Sequence, residues 1–433
     1  MIVRQIIGKK RDGGELTTRE IRDVVAGYTR GDVSDAEMAA LLMAIALRDM
    51  TARETADLTL AMVESGERLD LSRIPGAKVD KHSTGGVGDK TTLVVAPLVA
   101  SLGVPVPKMS GRALGHTGGT IDKLECIPGL TTDLSPERFC DQVARIGVAI
   151  AAQTAEMVPA DRKMYALRDA TATVESTPLI ASSVMSKKLA VGADGIVLDV
   201  KAGRGAFMSD VRAARQLAEA MVEIGSRAGK RVVALVTRMD EPLGRTVGDA
   251  AELAEAIETL RGRGPQDFVE LCEVVAGQML VLGGAARDAE EGKGRARRGL
   301  SNGSGLSKLR EMIQCQGGDV GVIDDSKALT AAAKRTPVRL AEEGRVTAID
   351  ARRIGLAVRQ FKAVAGSRRA LCGLVLHKKT GDSVACDEQV ATVLSPSNLS
   401  GPAGEAAREV ADAFRVGQRA VAALGLLVDV VEP

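Results

Sequence analysis

A chain of 433 residues is longer than one hydrophobic core accommodates, so two or three domains are expected. It is 45% hydrophobic and 26% charged, and 58 basic against 56 acidic residues leave a net charge of +2, which excludes binding of nucleic acid or an acidic membrane through bulk charge. The absence of Trp, with only two Tyr and five Phe, excludes a site built on aromatic stacking. Six scattered cysteines without a C-x-x-C pair predict a reducing, cytoplasmic setting and no zinc site. The N-terminal stretch has neither the apolar core nor the cleavage site of a signal peptide, and no apolar run is long enough to span a bilayer.

Three capping boxes open the chain: Thr17 with Glu20, Ser34 with Glu37, and Thr51 with Glu54. Each precedes apolar residues at helical spacing, and Gly31 and Gly66 stand where C-caps are expected. Residues 1–66 therefore read as a small all-helical domain, too few helices to bury every face without a partner. Residues 74–80 predict a short strand. The stretch DKHSTGGVGDKTT (80–92) follows, and then an apolar run, 93–102, long enough for a helix. Gly85, Gly86 and Gly88 let backbone N–H groups turn inward, and Thr91 or Thr92 opens the helix, so a phosphate-sized anion fits between them. Lys81 adds a charge, and Ser83, Thr84 and Thr92 add hydroxyls. A Walker A loop is excluded, because Lys90 follows Asp89 and not Gly; a dinucleotide loop is excluded, because Thr91 stands where its third Gly belongs.

Residues 104–109 read as extended, because their prolines forbid a helix interior. Ser135 caps a helix with Pro136 at its first position, running to Ile146 and stopping at Gly147. Residues 148–152, 195–201 and 231–237 are strand candidates, with a helix over 209–227, and Asp249 with Glu252 caps another helix. This alternation predicts an α/β domain, 67–335, with a mostly parallel sheet. Residues 160–193 interrupt it, and their helical tail is expected to fold back onto the N-terminal helices. The charged, Gly-rich run 285–310 reads as a solvated helix end and loop, and 336–433 as a C-terminal α+β domain.

Two further polar clusters stand out. KMSGRALGHTGGTIDKLECIPG (108–129) carries a second glycine loop with hydroxyls at Ser110 and Thr120. YALRD (165–169) precedes SVMSKK (183–188), so Arg168, Ser183 and Lys187 offer a planar fork, a hydroxyl and an ammonium suited to the edge of a pyrimidine. A buried ion pair of Arg168 with Asp161 or Asp169 is the structural alternative. His116 reads as a hydrogen-bonder within its own loop, and His377 as carrying no chemistry.

KHSTGGVGDKTT, SGRALGHTGGTIDKLE, YALRDATATVES and SKKLA together resemble the thymidine/pyrimidine-nucleoside phosphorylases, in the expected order and over essentially the whole chain. The resemblance implies the nucleoside phosphorylase/phosphoribosyltransferase-like fold and reversible phosphorolysis of a pyrimidine nucleoside to free base and (deoxy)ribose 1-phosphate. Inorganic phosphate is then the co-substrate, no cofactor is required, and a homodimer forms through the helical domain. Lys81, Ser83, Thr92, Ser110 and Thr120 fall on the family's phosphate positions, with Lys108 beside them. His82, Arg168, Ser183 and Lys187 fall on the pyrimidine positions, and His82 is expected to protonate or hydrogen-bond the leaving base at O2. Arg168 and Lys187 are expected to stabilise the negative charge that develops on that base.

Several bacterial members of this family bind potassium, at positions matching Gly88, Lys90, Leu243, Thr246 and Glu255. A lysine at 90 opposes a cation there, so its ammonium is expected to replace the ion by pairing with Glu255; the alternative is a Lys90 turned to solvent with the ion retained. Lys108 resembles the enzymes that accept uridine and deoxyuridine as well as thymidine, where narrower thymidine enzymes have Met. GLVLHKKTGDSVACDEQVATVL is similar to a biotinyl-type turn without its attachment site, and reads as structural. Two rivals are a phosphoribosyltransferase of the same fold, which would need magnesium, and a binding protein with a dead site.

Overall fold

Four helices open the chain: α1 (Val3–Arg11), α2 (Thr18–Arg30), α3 (Asp35–Arg48) and α4 (Ala52–Val63). The computed structural model describes residues 3–113, 115–154, 156–418 and 425–433, and of 367–369 only the backbone; Leu114, within the second glycine loop, lies outside them. Thr17, Ser34 and Thr51 each accept the N3 backbone N–H, and Glu20, Glu37 and Glu54 return the bond to the cap. Glu54 also receives Lys10 Nζ at 3.0 Å and the Leu16 N–H at 2.8 Å, so one buried cap joins α1 to α4. Gly31 closes α2 with φ 91°. Gly66 does not cap α4, which ends on a right-handed Glu64. A Cβ at Gly66 would collide with Glu156 O and Pro159, so this glycine permits a close crossing of two segments.

Five parallel strands follow: β1 (Val79–Ser83), β2 (Val106–Ser110), β3 (Val148–Ala152), β4 (Gly195–Ala202) and β5 (Arg231–Arg238). They pair as β1-β4-β5 and β2-β3, and the Val79 N–H joins the two sets by donating to Pro105 O at 3.0 Å. Helices α5 (Thr91–Ser101), α6 (Thr120–Leu124), α7 (Pro136–Ile146), α8 (Pro159–Ala170), α9 (Thr177–Val191) and α10 (Val211–Arg227) connect them. Helix α9 lies against α4, and α8 against α2 and α3.

Period-two alternation makes two cores from one sheet. Ile196, Leu198 and Val200, with Val232, Ala234 and Val236, join the core shared with the helical bundle and α10. Val197, Val233 and Leu235 face the other core, with α5 and the later helices α11 (Asp249–Leu260) and α12 (Gln266–Leu282). Strand β1 starts later than residues 74–80 and takes in Lys81, His82 and Ser83. Their parallel pairing with Val197, Leu198 and Asp199 overrides the polarity that made them look like a loop.

The run 285–310 is not a solvated loop. It forms α13 (Ala289–Ser301) and the start of α14 (Ser304–Cys315), followed by the single-turn helices α15 (Gly321–Asp324) and α16 (Ala328–Ala331). Gly292 packs against Gly277 of α12 so closely that a Cβ on either would strike the other backbone. The glycines thus mark a tight helix crossing.

Beyond residue 334 lie β7 (Lys334–Leu340), β8 (Gly344–Ile349), α17 (Ala351–Ala365), β9 (Gly373–Leu376), β10 (Ser383–Val384), β11 (Glu388–Ser395), α18 (Ser400–Ala411) and β12 (Phe414–Gly417). They build two antiparallel sheets, β10-β8-β12 and β9-β11-β7. Two strands cross the boundary near residue 336. The short β6 (Thr246–Val247) adds to the edge of β9, and β13 (Leu427–Val431) returns antiparallel to the edge of β5. Among the described residues no helix is long and apolar enough to cross a membrane.

Candidate active site

Alternation along β1 also sorts the polar residues. Lys81 and Ser83 share the face of Val79, while Asp80 and His82 share the face turned to the helical bundle. On the first face Lys81 is buried, at 2% exposure, and its Nζ has no hydrogen-bond acceptor among the described residues. Asp199 Oδ2 stands 3.6 Å from it but only 2.7 Å from Lys201 Nζ, a close ion pair off the line of a hydrogen bond. Thr237 Oγ1 donates to the other Asp199 oxygen at 2.6 Å. Two buried ammoniums thus share one carboxylate.

The glycine loop that follows is braced from inside. Ser83 Oγ donates to Asp89 Oδ2 at 2.5 Å and accepts the Gly85 N–H at 3.3 Å. Burial raises the Asp89 carboxyl, but Lys81, Lys201, the Ser83 hydroxyl and Lys123 outweigh it and hold the group well below the usual carboxylate range. Lys123, on α6, donates to Asp89 O at 2.6 Å and pairs with Glu252 at 2.8 Å, so the second glycine loop is fastened to the first. Thr92 is the second residue of α5, Thr120 the first of α6, and Ser110 the last of β2.

On the opposite face Asp80 is shared by Lys188 Nζ at 2.8 Å and Lys108 Nζ at 3.6 Å, and both lysines donate to Met109 O. Burial pushes Lys108 well down in spite of Asp80. His82 is driven well below its ordinary value by burial first, then by Lys188, Lys108, Lys81 and Lys187. Its resting form is therefore neutral imidazole, a hydrogen-bond donor, not the imidazolium of a ready proton donor.

The helical wall carries the rest. Lys187 Nζ pairs with Asp161 and donates to Ser183 O and Oγ at 3.0 Å, one helical turn away. Arg168 pairs with neither Asp161 nor Asp169 by hydrogen bond. Its Nε, Nη1 and Nη2 donate to the carbonyls of Thr173, Leu179 and Val174 at 3.2, 3.0 and 2.6 Å, tying α8 to α9. A cleft of about 470 Å³ separates this wall from the glycine loops, lined by Tyr165, Asp161 and Lys187 on one side and Arg112 and Ala113 on the other. Of the expected residues only Lys187 lines it; Arg168, His82 and Lys81 are not among its lining residues.

Lys90 does not point to solvent; its side chain is 0% exposed. Its Nζ stands 2.5 Å from Glu255 Oε2, 2.8 Å from Leu243 O, 3.2 Å from Thr246 O and 3.4 Å from Thr246 Oγ1. These are oxygens of the residues matched to a potassium site, and an ammonium already sits among them, so the residues present do not fit that ion. His116 Nε2 meets Gly205 O at 3.0 Å, in another loop and not its own, and His377 Nε2 meets Thr392 Oγ1 at 2.8 Å.

Residues 4–66 match the description "Glycosyl transferase family, helical bundle domain", and residues 76–306 match "Glycosyl transferase family, a/b domain". The chain is 50% identical over 394 residues to the pyrimidine-nucleoside phosphorylase of Geobacillus stearothermophilus, covering 90% of this chain and 91% of that one. It is likewise 50% identical over 392 residues to the same enzyme of Bacillus subtilis strain 168, with 90% of each covered. The chain belongs to the thymidine/pyrimidine-nucleoside phosphorylase family. Among solved structures, anthranilate phosphoribosyltransferase from Thermus thermophilus overlays with a TM-score of 0.59 at 22% identity, over 72% of this chain and 98% of that one; this likeness concerns the fold alone.

Sequence reasoning misses several members of this phosphorylase-family site. Asp80, Asp89, Lys123 and Lys188 stand inside the quoted motifs without an assigned role, and Asp199 and Lys201 lie outside every motif, yet these six carry much of the charge around the two glycine loops. One signal is available. GIVLDVK is otherwise a fully apolar strand, and a charged residue there must be paired or functional.

Proposed function

We propose that the protein catalyses reversible phosphorolysis of pyrimidine nucleosides, with inorganic phosphate as co-substrate and no other cofactor. The observation that carries this reading is the buried Lys81 ammonium without an acceptor, beside a glycine loop and a helix N-terminus. A small anion is the partner such a group lacks. Phosphate held by Lys81, Ser83, Thr92, Ser110 and Thr120 attacks C1′ of the nucleoside. The C1′–N1 bond breaks and its electron pair leaves with the base. Lys187 and Arg168 stabilise that charge, Ser183 hydrogen-bonds the base, and neutral His82 donates its N–H toward O2. A bound phosphate dianion would offset part of the effect of the four lysines, while burial, the larger cause, keeps His82 neutral and a hydrogen-bond donor. The resemblance of Lys108 to the enzymes of broad substrate range supports acceptance of uridine and deoxyuridine beside thymidine; its ammonium itself is held by Met109 O and Asp80.

The test is release of free base from uridine and thymidine, with and without phosphate and magnesium. Both nucleosides are expected to react, only with phosphate and equally well without magnesium. Magnesium-dependent transfer from a pyrophosphorylated sugar would favour the phosphoribosyltransferase reading, and reaction of thymidine alone would defeat the broad one.

A homodimer through the helical bundle belongs to the same proposal. Ala36, Ala40, Met43 and Leu47 are exposed at spacings of four, three and four along α3, with Leu47 74% exposed and Met43 38%. This continuous apolar stripe is the kind a second copy covers. A sedimenting dimer, converted to monomer by Leu47→Asp, is expected; a monomeric parent protein would remove the interface.

A further inference from the structure

We infer that the Lys90 ammonium is the built-in cation of the phosphate loop, so that the loop is held in its binding conformation without potassium. For its activity readout this rests on the phosphorolysis proposed above; its stability readout does not.

Lys90 is the N-cap residue of α5, next to Asp89, which holds Ser83, and two positions before Thr92. Its Nζ is the meeting point of the Leu243 and Thr246 carbonyls, the Thr246 hydroxyl and the Glu255 carboxylate, with the Phe268 ring 5.1 Å away. The surroundings are built inward on that point. A Cβ at Gly244 would come within 2.9 Å of Lys90 Nζ, and one at Gly88 within 2.7 Å of Leu243 O. Glu255 also accepts the Arg245 N–H at 3.0 and 3.1 Å, the Thr246 N–H at 3.3 Å and the Thr246 hydroxyl at 3.0 Å, so its carboxylate is fixed before Lys90 reaches it. The Leu243 N–H donates to Val87 O at 3.0 Å, completing the seam between the loop and the 243–247 segment.

Carbonyl dipoles and a carboxylate that converge on one point repel each other unless a cation stands between them. A free ion supplies that cation only in proportion to its concentration. A lysine supplies it at fixed geometry, with its charge on the same chain as the loop it braces. An ion pair of purely local structural value would share these distances, but it would not exchange with a free ion. The two roles therefore differ in one observable, namely whether potassium restores what loss of the ammonium removes. Lys90→Thr shortens the side chain, removes the ammonium, introduces a hydroxyl and leaves the oxygens in place.

The experiment compares the parent chain and Lys90→Thr in potassium, sodium and choline chloride at equal ionic strength, measuring the KM for phosphate and the thermal midpoint. In the parent both are expected to be independent of which cation is present. In Lys90→Thr the phosphate KM is expected to rise about tenfold or more in choline and to return to within about threefold in potassium, with a midpoint that climbs as potassium is added. A parent midpoint raised by potassium, and not by sodium or choline, would overturn the inference, and this comparison needs no variant. So would a Lys90→Thr protein whose losses potassium leaves unrestored. Should the midpoints behave as expected while no condition releases base, the functional reading fails and this one stands.

Discussion

Lys81→Met is expected to lower phosphorolysis by about a thousandfold or more while leaving the protein at least as stable as its parent. The two halves of this expectation have one cause. Lys81 and Lys201 are both buried; they share the carboxylate of Asp199, which lies nearer to Lys201, and both also act on Asp89, which Lys123 and the Ser83 hydroxyl continue to hold when Lys81 is replaced. The Lys81 charge is therefore carried at a cost to folding, because its desolvation is not offset by a hydrogen bond. Methionine fills a similar volume without that cost. What is lost is the attraction for an anion, and with it the positioning of phosphate for attack. Activity and thermal midpoint, read on the same preparation, check this. A variant that is inactive because it is unfolded would contradict the assignment of Lys81 to the ligand, as would one that keeps its phosphate KM.

The opposite pattern is expected on the helical wall, where Arg168→Met should lose both stability and activity. Three carbonyls accept its guanidinium hydrogens. That of Leu179 lies inside α9 and has a helical donor as well, but those of Thr173 and Val174 lie between α8 and α9 and are left without one. An unsatisfied buried polar group costs about 1–3 kcal/mol, so a loss of roughly 2–4 kcal/mol is expected, and with it the charge proposed to stabilise the departing base. Arg168→Lys should recover little of the stability, because one ammonium cannot reproduce the fork. Denaturant titration beside kcat/KM separates the parts. An unchanged midpoint would show that the tie between α8 and α9 does not depend on this residue. A full kcat in the destabilised but folded variant would remove Arg168 from the chemistry.

Local signals in the sequence are those the fold repeats most faithfully. The capping boxes at Thr17, Ser34 and Thr51 are decided within four residues, and all three form as written. The buried strands 195–201 and 231–237 are legible because a two-sided sheet explains their apolar runs, Ile196–Leu198 and Val232–Val236. Features decided by distant partners are less legible. Lys81 and His82 look like loop residues until β4 supplies the pairing partner, and Gly292 looks like solvent-exposed chain until Gly277 is placed against it. Gly66 has the position of a helix cap but is needed by a segment ninety residues on. For Arg168 the sequence offers carboxylates as partners because it shows side chains; the partners it has are main-chain carbonyls, which every sequence has everywhere. The Lys90–Glu255 contact is approachable through the family resemblance, which sets both residues at one cation position, where a lysine opposes a second cation.

The account centres on an anion site whose charge is Lys81. Calorimetric titration of the full-length protein with inorganic phosphate, nucleoside absent, tests it most directly. Saturable binding at one site per chain is predicted, weakening as salt rises and abolished in Lys81→Met with its thermal midpoint intact. Equal phosphate binding by the parent and a folded Lys81→Met protein, or none by the parent, would contradict it.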